Sequence, residues 1–536
     1  MRAGIRRTGA SGRSRSRPST SAAREPRVEG GAERREGQPS KKSASIPKPD
    51  ARPRVSPVEV PVKFLAAFGL GVLVLTRAAS AGEPLRPTRY ELDVALDLKE
   101  ERMTASARVT IRNAGPSAAG EASFLLYRLL TVSAVRSAAG SPLAFSQSVV
   151  AFEDDPKRQA NRVRVLLAPP LEPGGEATVE IAYAGYLAGY VETGALYIQD
   201  SIGDAFTIVR EDADAYPTLR PPSWEKIRSE PLPEFDYLAR VTVPDSHVVA
   251  NGGLLVERTA REGRATYVYR NRKPAWRMDF AVARYRELDA PGLSLFALPD
   301  DAAGAERVQR SAAACLALYR GWFGALPDAT TYTIIEIPDG WGSQADVTSI
   351  LQAAAAFRDP EKIHELYHEI SHLWNVPSKD AAYCRWNEGL AGFLEALTQE
   401  TLDGTPSLDA QAEKTARRQL ERAREDPRLA TVPMIDYGRA GMTGDSYRTG
   451  MLMFFALYRL VGPATFRSII GAHTARHHSG GATTAEFVAE AERAGGPGVA
   501  PLFRDWLFTT RWLEILSSGA EVRTLAERYR KTVASQ

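Results

Sequence analysis

The chain has 536 residues, 44% hydrophobic and 25% charged, an ordinary balance for a globular protein of roughly two to four domains. Its net charge of +3 is unevenly placed: residues 1–60 hold fifteen Lys or Arg against six Asp or Glu, and Lys63 and Arg77 follow, so the chain beyond Ala81 sits near −8. An acidic body argues against nucleic-acid binding.

Residues 1–61 are rich in Arg, Ser, Pro and Gly with almost no apolar runs, so this stretch cannot bury enough surface to offset ordering entropy and is expected to be a disordered basic tail. An alternative is that it is not translated, with Val62 marking a GTG start. Residues 62–81 have the pattern of a secretory signal peptide: Lys63, an apolar run from Phe64 to Leu75, and Ala79-Ser80-Ala81 to close it. That run is too short to span a membrane comfortably, and no other segment approaches spanning length. The mature protein is therefore expected to be exported, periplasmic or secreted, with no stable membrane span.

Residues 82–290 read as a β domain. Arg108–Arg112, Val163–Leu167, Ala177–Ile181, Ala239–Val243 and Thr266–Tyr269 alternate or are β-branched, and Gly/Pro clusters separate them. Short strands at regular spacing predict a sandwich-like, largely antiparallel domain. Residues 291–536 change character. Ala305–Phe323 carries an apolar stripe at Val308, Ala312, Cys315, Leu316 and Tyr319 and reads as a helix, Tyr332–Ile337 as a strand, and the chain after Asp359 as mainly helical. The expected fold class is α+β and multidomain. Cys315 and Cys384 are far apart in sequence and are expected to be buried, unpaired thiols.

Three of the seven histidines fall within nine residues, His364-Glu365-Leu366-Tyr367-His368-Glu369-Ile370-Ser371-His372, which contain two overlapping copies of H-E-x-x-H. On a helix, histidines at i and i+4 share one face and can grip one Zn²⁺, while the intervening Glu serves as general base. The helix is well specified: Asp359-Pro360-Glu361 is a strong start, Ile363, Leu366, Tyr367, Ile370 and Leu373 keep a helical rhythm, and Pro377 stops it. Asn387-Glu388-Gly389 opens the next apolar run and offers a third ligand. From the residues alone, either His364 with His368 or His368 with His372 can be the pair. Cys384 is a further conceivable ligand, although two His and a Glu are complete without it.

His368-Glu369-Ile370-Ser371-His372-Leu373-Trp374-Asn375 resembles the signature of the gluzincin peptidases, H-E-x-x-H-x-W, as found in the membrane alanyl and glycyl aminopeptidase families. Arg385-Trp386-Asn387-Glu388-Gly389-Leu390-Ala391 is similar to the segment that carries the third ligand in the alanyl family. Pro87–Val94, Ser446–Gly450 and Asp505–Leu507 look like that family's opening strand, catalytic-Tyr segment and catalytic-domain end, so the similarity covers about residues 82 to 515. It implies a thermolysin-like zinc metallopeptidase domain over 291–536, with Zn²⁺ on His368, His372 and Glu388, Glu369 as general base and Tyr447 as oxyanion donor, acting on peptides. Trp374 and Asn375 favour the second frame, although the fifteen residues between His372 and Glu388 are fewer than the family usually has. His364 is then a bystander or supports the ligands.

The resemblance fails at one place. Where the family's exopeptidases carry G-x-M-E-N, with a Glu for the substrate's amine, this chain has Gly340-Trp341-Gly342-Ser343-Gln344-Ala345-Asp346. Gly342 and Gln344 could pair with peptide backbone and accept from the amine, and Asp346 could supply charge. Glu211 is the best candidate for the amine carboxylate of the β domain. A peptidase is thus better supported than an aminopeptidase. The alternative is a secreted binding protein on a catalytically degenerate peptidase fold.

Overall fold

The computed structural model describes residues 85–229, 233–326 and 331–534. The expected basic tail and signal peptide lie outside the described residues. All described residues belong to one compact unit.

The β-rich part is built on a seven-stranded sheet in the spatial order Leu254–Arg261, Arg264–Arg270, Asp236–Pro244, Leu85–Asp97, Arg102–Asn113, Glu176–Tyr186, Leu130–Ser137. Its pairings are antiparallel except between Leu85–Asp97 and Asp236–Pro244. Alternation sets the faces: Leu92, Val94 and Leu96 on one strand and Ala107, Val109 and Ile111 on the next point inward and are buried. A three-stranded sheet of Ala119–Tyr127, Gln159–Leu171 and Phe145–Ala151 adds Phe124, Leu126, Val163 and Val165 to the same core. Each strand expected from composition lies inside one of these elements. A further small sheet, Val248–Asn251, Phe280–Ala283 and Thr207–Val209, carries the chain toward the second part.

A five-stranded sheet opens that second part, in the order Arg286–Ala290, Leu293–Ala297, Tyr332–Ile337, Ser349–Ala353, Gln344–Ala345. The last strand is short, antiparallel to its neighbour and at the sheet edge, and it lies beside the His364–Ser371 helix. The remainder is helical. Ala302–Phe323 buries the expected stripe of Val308, Ala312, Cys315, Leu316 and Tyr319. Trp386–Asp403 and Ser446–Val461 pack along each other where two glycines meet: a Cβ on Gly389 would fall 2.4 Å from Gly450 Cα. That closeness brings Glu388 and Tyr447 to one side of the same crossing. Cys315 and Cys384 are buried and unpaired. Among the described residues no helix is long and apolar enough to cross a membrane.

Candidate metal centre

The His-bearing segment folds as its residues dictate. The Asp359 carboxylate accepts from Glu361 N at 2.9 Å, Pro360 opens a turn through Lys362, the helix runs His364–Ser371, and a tighter turn His372–Trp374 ends it at the extended Asn375. Leu366, Tyr367, Ile370 and Ser371 face the interior. The opposite side presents His368 and His372, whose rings lie 5.0 Å apart.

These two rings converge with Glu388, the third residue of the Trp386–Asp403 helix. Glu388 Oε2 lies 3.6 Å from His368 Nε2 and 3.4 Å from His372 Nε2. Ordinary hydrogen bonds are shorter. Tetrahedral ligands about 2.0–2.1 Å from a zinc ion stand about 3.4 Å from one another, so this donor set fits that ion. His368, His372 and Glu388 form a group that could hold a metal, and His364 is not in it. His364 stands one turn earlier, its Nδ1 2.6 Å from Glu395 Oε1.

The surroundings hold each group in place. Glu395 Oε2 is 3.1 Å from His368 Nδ1, and the Asn375 side-chain amide is 2.6 Å from His372 Nδ1. With the amide turned to present its oxygen, Nδ1–H is fixed and Nε2 keeps its lone pair. Burial works against the charge of Glu388, yet Arg385 and both histidines hold its carboxyl well below the usual range. Arg385 reaches Glu388 Oε1 through a short ion pair from a left-handed backbone at φ 60, an uncommon conformation for a non-glycine residue. Burial would also raise Glu395, but hydrogen bonds with His364 and His368 bring it down to about 2.

Glu369 follows His368 and is not a member of the ligand group. Burial raises its carboxyl above the ordinary value, against the pull of His368 and His372. Tyr447 stacks on His368, with centroids 6.0 Å apart and planes 5° from parallel. It is 36% exposed, and burial and the charge of Glu388 raise its hydroxyl. Cys384 is not part of the ligand group.

The expected substrate residues lie in a denser charge network than the sequence suggests. Gly342 has φ 74 and leads into the edge strand Gln344–Ala345. The Gln344 amide is committed on both sides: Oε1 accepts from Arg277 Nη1 at 3.0 Å and Nε2 donates to Asp212 Oδ2 at 3.1 Å. Glu211 forms a short ion pair with Arg220, and burial raises its carboxyl above the ordinary value against the pull of Arg220. Burial likewise pushes Asp346 up to about 6. Among the described residues Asp346 Oδ1 is buried without a hydrogen-bond partner. Tyr197, from the β-rich part and 39% exposed as a whole residue, is within electrostatic reach of both groups: its hydroxyl is raised by burial and then by Glu369, Asp212 and Glu388.

Sequence reasoning missed Glu395, Arg385, Tyr197, Asp212 and Arg277. Glu395 left a signal, since it lies seven residues after Glu388 and so on the same helix face. It also missed a second group, His473, His477 and Glu490. There His473 Nδ1 is 2.7 Å and His477 Nε2 3.1 Å from the Glu490 carboxylate, and Arg476 pairs with the same carboxylate. These are hydrogen-bond lengths around an already compensated charge.

The fold is shared with M1 zinc metallopeptidases. A point mutant of the enzyme from Deinococcus radiodurans aligns with a TM-score of 0.61 at 20% identity, over 79% of this chain and 94% of that one. The M1 zinc metallopeptidase from the same organism gives 0.60 at 20% identity, over 79% and 93%. The mutant bound to a Tyr-Ser-Ala substrate gives 0.58 at 19% identity, over 79% and 94%. No protein-family model and no curated protein matches the chain. At this identity the likeness establishes the architecture, a β-rich part followed by a helical part.

Proposed function

We propose that this chain is an exported zinc-dependent peptidase, aminopeptidase-like with an atypical amine-binding strand. It would have an N-terminal β domain over 82–290 and a thermolysin-like catalytic domain over 291–536. The observation that carries the reading is the convergence of two His Nε2 atoms and one Glu oxygen at 3.4–3.6 Å, beside Glu369 and Tyr447.

His368, His372 and Glu388 would hold the ion. A bound Zn²⁺ supplies Lewis acidity toward a peptide carbonyl and a water molecule. Glu369 takes the proton of the attacking water and passes it to the leaving amine. Tyr447 donates a hydrogen bond to the oxyanion of the tetrahedral intermediate. The edge strand at Gln344, with Gly342 before it, offers backbone groups to an extended peptide. Glu395 and Asn375 orient the rings, and Arg385 keeps Glu388 ionised.

The test is metal analysis of purified protein with a quenched-peptide panel assayed with and without chelator. Wild type and His364→Ala should retain about one zinc per chain, and His372→Ala should lose it. Zinc lost from His364→Ala but kept by His372→Ala would overturn the ligand assignment. Full hydrolysis in chelator would overturn the zinc-peptidase reading.

A further inference from the structure

The edge strand Gln344–Ala345 lies beside the His-bearing helix, so a peptide pairing with it meets the charge network around Gln344. Two carboxylates there, Asp212 and Glu211, are 16% and 15% exposed and would be the natural receptors for a ligand ammonium. Both are already engaged by guanidinium groups of the chain itself. Arg220 pairs with Glu211 and also with Asp214. Arg277 pairs with Asp212, stands 3.2 Å from Asp279 Oδ2 and 4.0 Å from Glu211 Oε2, and donates to Gln344 Oε1 at 3.0 Å.

The guanidinium of Arg277 cannot easily swing aside. Its side chain is 2% exposed, and its charge lies over the Trp276 ring at 3.9 Å. A second cation brought in by a ligand would compete for carboxylates that are already paired, next to a like charge in a poorly solvated place. Such an arrangement discriminates by repulsion.

We propose that Arg277 is a specificity-determining residue: an internal cation that fills the acidic subsite beside Gln344 and directs the protein to peptides that present no free ammonium there, either N-blocked peptides or internal bonds. The inference rests on the peptidase reading above and names its substrate class. Gln344 fits the same logic, because a neutral amide can accept from Arg277 and donate to Asp212 at once, which a carboxylate cannot.

The experiment uses fluorogenic peptides made in matched pairs, one with a free N-terminus and one acetylated. Wild-type kcat/KM for the acetylated member should equal or exceed that for the free one, and N-acetyl-leucinamide should compete at least as well as leucinamide. Arg277→Gln should shift the ratio toward the free amine by about ten- to hundredfold, the usual worth of one charge-assisted contact, and Arg277→Lys should shift it less. Arg277→Gln combined with Asp279→Asn keeps the local charge balanced if the single variant fails to fold, and the wild-type arm requires no variant. A wild type that prefers free amines, or a folded Arg277→Gln with an unchanged ratio, overturns the proposal. Absence of cleavage for every peptide in zinc-loaded protein sinks the peptidase reading instead, and this inference with it.

Discussion

The crossing of the Trp386–Asp403 and Ser446–Val461 helices gives a sharp test of how the site is built. A Cβ added at Gly389 would lie 2.4 Å from Gly450 Cα and 2.9 Å from Met451 N, where carbon atoms need about 3.5 Å or more. Both obstacles are backbone, so the helices must part by about 1 Å. Overpacking of this kind costs about 1–3 kcal/mol, and the better helix propensity of Ala returns about 1 kcal/mol. The net expectation for Gly389→Ala is a loss of up to about 2 kcal/mol. The functional loss should be larger, because Glu388 is the adjacent residue and ligand distances tolerate about 0.2 Å. A misplacement near 1 Å costs about 10²-fold in rate. Gly392→Ala is the control on the same helix: its Cβ finds nothing nearer than 3.9 Å and should raise stability by about 0.5–1 kcal/mol. Thermal melts, zinc content after desalting and peptide hydrolysis read all three quantities. A Gly389→Ala protein with wild-type melting, zinc and rate, or a Gly392→Ala protein equally impaired, would refute the reasoning.

Glu369→Gln should keep its zinc while hydrolysis falls by about 10²–10⁴-fold; wild-type turnover would point to the other H-E-x-x-H frame. Tyr447→Phe should lower kcat with little change in KM, because its hydrogen bond belongs to the transition state, and a pure KM effect would reassign it to substrate binding. Burial, then hydrogen bonding to Asp301, raises Glu336 from 4.5 to about 9. The folded chain therefore holds a proton across that window that the unfolded chain has released, and the stability contribution, full below 4.5, is lost as pH climbs toward 9. Glu336→Gln removes this dependence, so its melting temperature should gain on wild type steadily from pH 5 to 9; a constant difference would show the carboxyl to be ionised throughout.

Much of this architecture is legible because it is local. The strands show in alternations such as Val94 and Leu96 against Val109 and Ile111. The metal-side helix shows in Asp359-Pro360 and its apolar rhythm, and the proposed ligand set lies in two short motifs on consecutive helices. What escaped is what the chain brings together from afar. Arg277 meets Gln344 across 67 residues and Asp212 meets Gln344 across 132. No spacing rule links Arg277, in an irregular stretch after a strand, to an edge strand of another sheet. Gly389 and Gly450 were visible as members of motifs, but their role as the contact between two helices requires both helices at once.

The two His–His–Glu groups show why spacing alone is an incomplete guide to a metal centre. His368 and His372 are four residues apart, and so are His473 and His477; each pair faces a Glu from the following helix. The difference lies in what the rest of the chain does with that carboxylate. At Glu388, Arg385 engages Oε1 and leaves Oε2 facing two Nε2 atoms at 3.4 and 3.6 Å, with Glu395 and Asn375 on the outer ring nitrogens. At Glu490, Arg476 and both histidines engage the two oxygens at hydrogen-bond distance. A metal site is thus specified as much by the partners that orient its ligands from behind as by the ligands. In this chain those partners, Glu395, Asn375 and Arg385, all lie within 23 residues of His372, so the whole of the proposed centre is carried by one contiguous stretch of sequence.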